Sequence, residues 1–213
     1  MIHDDPPPSL SHRHPKRLVA VIDTSVLVIF DKLQPILSAA LDDYLIPIWS
    51  PCIVAEANRV LTWKWLRRQA RLGGGSGREV VLTRAGEVAC SRDAKLWFDI
   101  MTNLFRVIDD RPPNERLWEE QPRDRWDIPI WNAAVRGEAH FVVTSNLIDG
   151  PPANADGLQV FEGIACVSPE VFSAILDWWS NAVINDEGWD HSANNVPPAL
   201  REFLSEVLVR FEE

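Results

Sequence analysis

The sequence predicts one α/β domain with a central parallel sheet covered by helices, and three observations carry that expectation. Residues 18–22 form a continuous run rich in Val and Ile, the pattern of a strand buried on both faces. Short apolar runs of this kind alternate with segments that carry helix-start signals, which gives a β, α, β, α order. Two of those starts set a serine before a proline, at Ser50-Pro51 and Ser168-Pro169, so that a hydroxyl caps the helix and proline takes its first position.

Residues 1–16 hold Pro6, Pro7 and Pro8, the histidines His3, His12 and His14, and few core formers, so a flexible arm is expected. His12 and His14 stand two apart in that arm and read as solvated residues rather than metal ligands. The strand at 18–22 ends at Asp23. Residues 25–30 read as a helix, and a second helix is expected to begin at Pro35 and run through Leu41. Residues 45–49 return as a strand, and the helix opened by Ser50-Pro51 is expected to reach about Arg71. Gly73, Gly74 and Gly75 stop it, and residues 73–77 read as a flexible loop. Ser91 is expected to cap a helix through Phe105 that leads into a short strand at 106–108. Residues 127–136 read as a helix halted by Gly137, residues 140–143 and 164–167 as strands, and residues 168–179 as a helix. A polar linker and an amphipathic helix at 199–211 follow. The expected organisation is an arm at 1–16, a domain at 17–180 and a C-terminal extension at 181–213.

With 213 residues and 46% hydrophobic content, the chain can build one α/β core with appended pieces. A formal charge of −10 argues against coating nucleic acid by bulk electrostatics. It leaves room for a nuclease, because carboxylates gathered around a divalent cation make a locally positive site. Cys52, Cys90 and Cys166 are odd in number and widely spaced, which suggests neither a disulfide framework nor a zinc site. Lys16 and Arg17 precede an apolar run as in a secretory signal, but Asp23 interrupts it and no small-residue cleavage site follows. No stretch is long and apolar enough for a bilayer span. A soluble, cytoplasmic protein with no membrane partner is therefore expected.

Chemistry is expected where acids meet the ends of strands. In an open parallel sheet, functional groups collect beyond the carboxyl ends of strands, near the switch in strand order. Asp23 sits at such an end, and its residue type suits a helix N-cap and a metal ligand equally. Glu56 has Cys52, Ile53, Val60 and Trp63 at helical spacing, which places a carboxylate on an apolar, inward stripe; pairing with Arg59 is the alternative. Asp124 and Asp127 stand three apart at a helix start, near the positive end of its dipole. Carboxylates from three elements above one sheet edge would suit magnesium or manganese, hard cations that take oxygen ligands and retain waters.

Three stretches carry a resemblance to the PIN-domain nucleases: LVAVIDTSVL at 18–27, SPCIVAEANRVL at 50–61, and DRWDIPIWNAAVRGEAHFVVTSN at 124–146. Their order and spacing are similar to those of the family, which includes toxins of bacterial toxin–antitoxin pairs and RNA-processing enzymes. The resemblance implies a three-layer α/β/α fold and metal-dependent cleavage of single-stranded RNA. It implies metal-binding and catalytic roles for Asp23, Glu56 and Asp127 with Mg²⁺ or Mn²⁺, and an accessory role for Asp124. Ser25 occupies a position where the family often has Asn and would bond a metal water or a ligand carboxylate. Thr144 ends the last matching strand. Asn146 stands where many relatives carry a fourth aspartate; its neutral carbonyl anchors a second cation poorly, and Asp149 is a substitute three residues on. An antitoxin protein and a second copy of the chain are partners the resemblance leaves open.

Residues 59–95 hold nine Lys or Arg against three Asp or Glu, with Trp63 and Trp65 among them. Lys64, Arg67, Arg68 and Arg71 are the candidates for contact with RNA phosphates, with the tryptophans stacking bases, although a solvated helix face with two core tryptophans is slightly the stronger expectation. Residues 177–213 reverse the balance, with eight acids and two bases. An aspartyl phosphatase would need an acid where Ser25 stands, and a receiver domain would need an acidic pair by the first strand and a later lysine. The chief rival is a PIN fold kept as a binding or assembly module with little catalysis, favoured by Asn146, the acidic surface and the long tail.

Overall fold

Continuous apolar runs form the inner strands of one sheet and two shorter, less buried segments form its edges: β1 (Leu18–Ile22), β2 (Leu45–Trp49), β3 (Arg106–Val107), β4 (Phe141–Val143), β5 (Gln159–Phe161) and β6 (Ile164–Val167). The structure, a computed structural model, describes residues 17–72, 84–111, 127–184 and 196–211. The arm at 1–16, the glycine loop at 73–77, Asp124 and residues 185–195 lie outside the described residues.

Strand order is β3-β2-β1-β4-β6-β5, with every pairing parallel except the last, β5 with β6. The chain builds outward from β1 through β2 to β3 and then returns to the other side of β1 as β4 and β6. The switch point therefore lies between β1 and β4, where the carboxyl ends leave a crevice. Ile22 is paired with Val143, and Val143 with Val167, so the residues after each strand, Asp23, Thr144 and Ser168, stand abreast.

Among the described residues, seven α-helices cover the sheet: α1 (Thr24–Leu27), α2 (Phe30–Leu41), α3 (Pro51–Leu72), α4 (Arg84–Thr102), α5 (Ile128–Arg136), α6 (Pro169–Ile184) and α7 (Pro198–Arg210). The register separates the layers. Val21, Ile48 and Val142 share one face, on which Gly137 at the end of α5 meets Ile48. Phe141 points to the other, where it packs against Phe172 of α6 and Phe203 of α7, each with ring centroids 5.5 Å apart. This is the α/β/α arrangement expected of the sequence.

Several boundaries differ from the sequence reading. α2 begins at Phe30 and holds Pro35 inside, because a proline just past the first turn removes a single backbone bond and the flanking apolar residues Leu33, Ile36 and Ala39 are buried. α4 begins at Arg84, with Ser91 in its interior, since Ala85, Glu87 and Ala89 favour helix and an interior serine costs only about half a kcal/mol. α6 continues to Ile184, across the boundary drawn at 180, as Ala182 and Val183 prolong its apolar pattern. The strand β5 was not anticipated. It pairs back on β6 through Glu162 and Gly163, whose φ values of 51° and 75° make a tight two-residue turn.

Candidate metal and nucleic-acid site

Burial of β1 on both faces delivers Asp23 to the switch point, where it is 8% exposed. Its backbone N–H donates to the Val143 carbonyl at 3.0 Å, joining the ends of β1 and β4. Side-chain Oδ2 accepts from Thr144 Oγ1 at 2.8 Å, Ser25 Oγ at 2.6 Å and the Ser25 backbone N–H at 3.3 Å. Cap and anchor thus coexist in one residue, because the bond from Ser25 N caps α1 while the two hydroxyls come from different elements. Both hydroxyls are held in turn: Ser25 Oγ accepts from Ser145 N at 2.9 Å, and Thr144 Oγ1 from Asn146 N at 3.0 Å. The net orients the carboxylate through one oxygen and leaves Oδ1 outside it.

Glu56 joins this edge through Thr24, whose Oγ1 donates to Glu56 Oε2 at 3.2 Å. It does not lie on the inward stripe of α3. That stripe is Ile53, Ala57 and Leu61, spaced four apart and buried, whereas Glu56 is 47% exposed and its Oε1 lies 3.7 Å from Arg59. A helix turns 100° per residue, so the one-residue step from Ala57 to Glu56 moves the carboxylate from the core to its rim. Asp127 occupies the N-cap position of α5 with helical backbone angles and no capping bond from its side chain. The buried Cys166 thiol on β6 is pushed up to about 12, first by burial and then by the charges of Asp127 and Asp23. One thiol therefore feels both aspartates.

Among the described residues, no three His, Cys, Asp or Glu side chains gather tightly enough to form a metal-holding group. Unneutralised carboxylates repel one another. Asp124 lies outside the described residues. Asn146 and Asp149 are engaged with each other, Nδ2 donating to Oδ2 at 2.6 Å.

Two contributors escaped the sequence reading. Asp110, just past the end of β3, accepts from Cys52 N at 2.8 Å and so satisfies an N–H of the first turn of α3. Burial, then Asp110, then Glu56 raise the Cys52 thiol, which places Asp110 beside the Glu56 edge. Asn132 on α5, 2% exposed, donates to the Asp110 carbonyl at 2.6 Å. The signal for Asp110 was a weaker form of the one that singled out Asp23, an acid three residues beyond the end of a strand. Lys32 of α2 is the second: its Nζ reaches Ser145 Oγ at 3.1 Å and Glu170 Oε1 at 3.2 Å, bringing a cation to the same crevice.

Of the basic candidates, Lys64 donates to the Val28 carbonyl at 3.1 Å, Arg67 lies over the Trp63 ring at 5.7 Å, and Arg68 is exposed. The side chain of Arg71 lies outside the described residues. Trp63 is not a core tryptophan: it is 53% exposed. No helix among the described residues is long and apolar enough to cross a membrane.

A family model described as PIN domain matches residues 19–147. No curated relative matches the chain. A solved structure described as PAE2754 from Pyrobaculum aerophilum is similar at 18% identity with a TM-score of 0.43, over 79% of this chain and 95% of that one.

Proposed function

The chain belongs to the PIN-domain family, generally metal-dependent nucleases, and from that premise we propose that it is a hydrolase that cuts phosphodiester bonds in single-stranded RNA with Mg²⁺ or Mn²⁺. The observation that supports this most is Asp23: a nearly buried carboxylate at the switch point, oriented by two hydroxyls through one oxygen only. Burying a carboxylate is costly unless its oxygens are satisfied, and a hard cation is the partner that fits the remaining one. Asp23, Glu56 and Asp127 would hold the ion, with waters completing its sphere. When bound, such a cation acidifies a water and neutralises charge on the phosphate.

The protein's own groups then have distinct roles. Ser25 and Thr144 hold the Asp23 carboxylate in place by donating to Oδ2. Thr24 tethers Glu56 to the same edge. Lys32, tied to Ser145, places a positive charge where a phosphate would approach, and Asp124 is proposed as an accessory acid near Asp127. Lys64, Arg67, Arg68 and Arg71 are proposed to track the RNA backbone. An antitoxin partner, and hence a toxin role, remains within this proposal.

A second reading is a PIN fold that binds without cutting. The pairing of Asn146 with Asp149, and the absence of a gathered acid triad among the described residues, favour it. Calorimetry separates the two: Mn²⁺ binding that disappears in Asp23→Ala supports the hydrolase, and no binding at millimolar Mn²⁺ supports the module. With Mn²⁺, the purified protein is expected to cut single-stranded RNA and Asp127→Asn to leave it intact. Equal cutting by both would reject these residues as the site.

A further inference from the structure

Helical periodicity sets Glu56, Arg59, Trp63 and Arg67 at i, i+3, i+7 and i+11, one above another on a single face of α3. All four are exposed. Two turns, about 10.5 Å, separate Glu56 from Trp63. A tryptophan left half open on a helix, with Leu61 and Ile53 of the same helix buried, presents a large apolar face that the described residues leave uncovered on one side. Its setting is basic, for Arg59, Lys64, Arg67 and Arg68 fall within ten residues of a chain whose net charge is −10. The Arg67 guanidinium stands over the ring at 5.7 Å, a cation–π pair that stiffens the indole and leaves over half of the residue open.

We propose that Trp63, backed by Arg67, is a base-stacking platform for single-stranded nucleic acid, with Arg59 bridging a phosphate between the platform and the acid edge at Glu56. A flat indole accepts any base, but only one whose face is not already covered by a neighbour in a duplex. The cations disfavour an apolar protein segment, and an open indole between Arg59 and Arg67 on one face suits a base flanked by phosphates better than an acidic side chain, which has no flat ring to stack. The proposal rests on the nuclease reading for its direction toward Glu56. It makes Trp63 a specificity-determining residue that selects unpaired substrate and sets how far from a stacked base the chain is cut.

The test is fluorescence anisotropy of a labelled single-stranded oligoadenylate, in Mn²⁺, with Asp127→Asn as the parent so that binding is read without cutting. Trp63→Leu is expected to weaken binding by about five- to a hundredfold, the range of base–aromatic stacking. Trp63→Phe is expected to stay within about threefold of the parent. Leu retains an apolar side chain, so the contrast with Phe isolates stacking from packing. An abasic strand of equal length is expected to bind parent and Trp63→Leu alike, and Arg59→Ala to flatten the salt dependence by about 0.7 in slope. Three results overturn the platform: no binding by the parent, oligoadenylate affinity of Trp63→Leu within twofold of the parent, or an equal loss on the abasic strand. Loss of self-association by light scattering with nucleic-acid binding unchanged assigns the face to a protein contact instead. Failure of the nuclease reading is seen separately, as wild-type protein that binds the strand and leaves it uncut.

Discussion

Thr144 serves two partners with one hydroxyl, donating to Asp23 Oδ2 at 2.8 Å and accepting from Asn146 N at 3.0 Å. Thr144→Val keeps the shape and removes both bonds, leaving a buried carboxylate short of a donor. A loss of about 1–3 kcal/mol in urea unfolding is expected, and an unchanged midpoint would show that the hydroxyl net does not hold the switch point. Cys166 gives a prediction in pH. Its folded thiol is raised from near 9 to about 12, so the native state keeps a proton that the unfolded chain releases. The associated stability is present below pH 9 and is lost as pH rises from about 9 toward 12. Urea midpoints are expected to fall over that range, less steeply in Cys166→Ala, and iodoacetamide at pH 8 is expected to label exposed Cys52 well ahead of Cys166. Asp23 was legible because it directly follows a recognisable strand, and Ser25 and Thr144 were reached through the resemblance to the PIN-domain nucleases. Asp110 was not, because the strand read at 106–108 is followed first by Asp109, and nothing in the sequence separates the two acids. Trp63 was misjudged because apolarity marks burial for most residues, and only the rotation of α3 on the sheet decides which turn of the stripe faces out.

At the scale of elements, strands were read well even where short, as at β3 and β4, and the half-buried edge strand β5 was missed. β1, β2 and β6 announce themselves by continuous apolar residues, and α3 by its Ser-Pro start, whose Ser50 Oγ accepts from Ile53 N at 3.3 Å. The edge strand β5 has three half-buried residues, too few to show alternation, and its clue was the Glu162-Gly163 pair ahead of another apolar run. Both turn residues have positive φ, a conformation that costs a non-glycine side chain about 1–2 kcal/mol and asparagine less. Glu162→Asn is therefore expected to stabilise the protein by about 0.5 kcal/mol, and Gly163→Ala to destabilise it by about 1 kcal/mol, both read from thermal unfolding. The same sign for both substitutions would mean that the turn does not hold the β5–β6 pairing.

Across the whole molecule, the alternation of strands and helices was enough to predict a layered α/β fold, because a sheet apolar on both faces has few other ways to be covered. What local pattern could not give was how the last helix relates to that core, since an amphipathic face does not say what it meets. α7 places Leu200, Leu204 and Val207 in the same buried cluster as β1 and β4, and its Phe203 meets Phe141 edge to face, while Phe141 also touches Phe172 of α6. Phe141 is thus shared between two helices, and removing support from one side loosens the other. Leu204 is fully buried, so Leu204→Ala is expected to cost about 2–5 kcal/mol through lost transfer energy and a cavity that the ring stack resists closing. If α7 belongs to the cooperative unit, that loss shifts one transition in which far-UV dichroism and tryptophan fluorescence still coincide, because Trp178 and Trp179 on α6 report on the same core. An α7 that merely leans on a finished domain would behave otherwise: Leu204→Ala would leave the main transition in place and add a separate, earlier loss of helix signal.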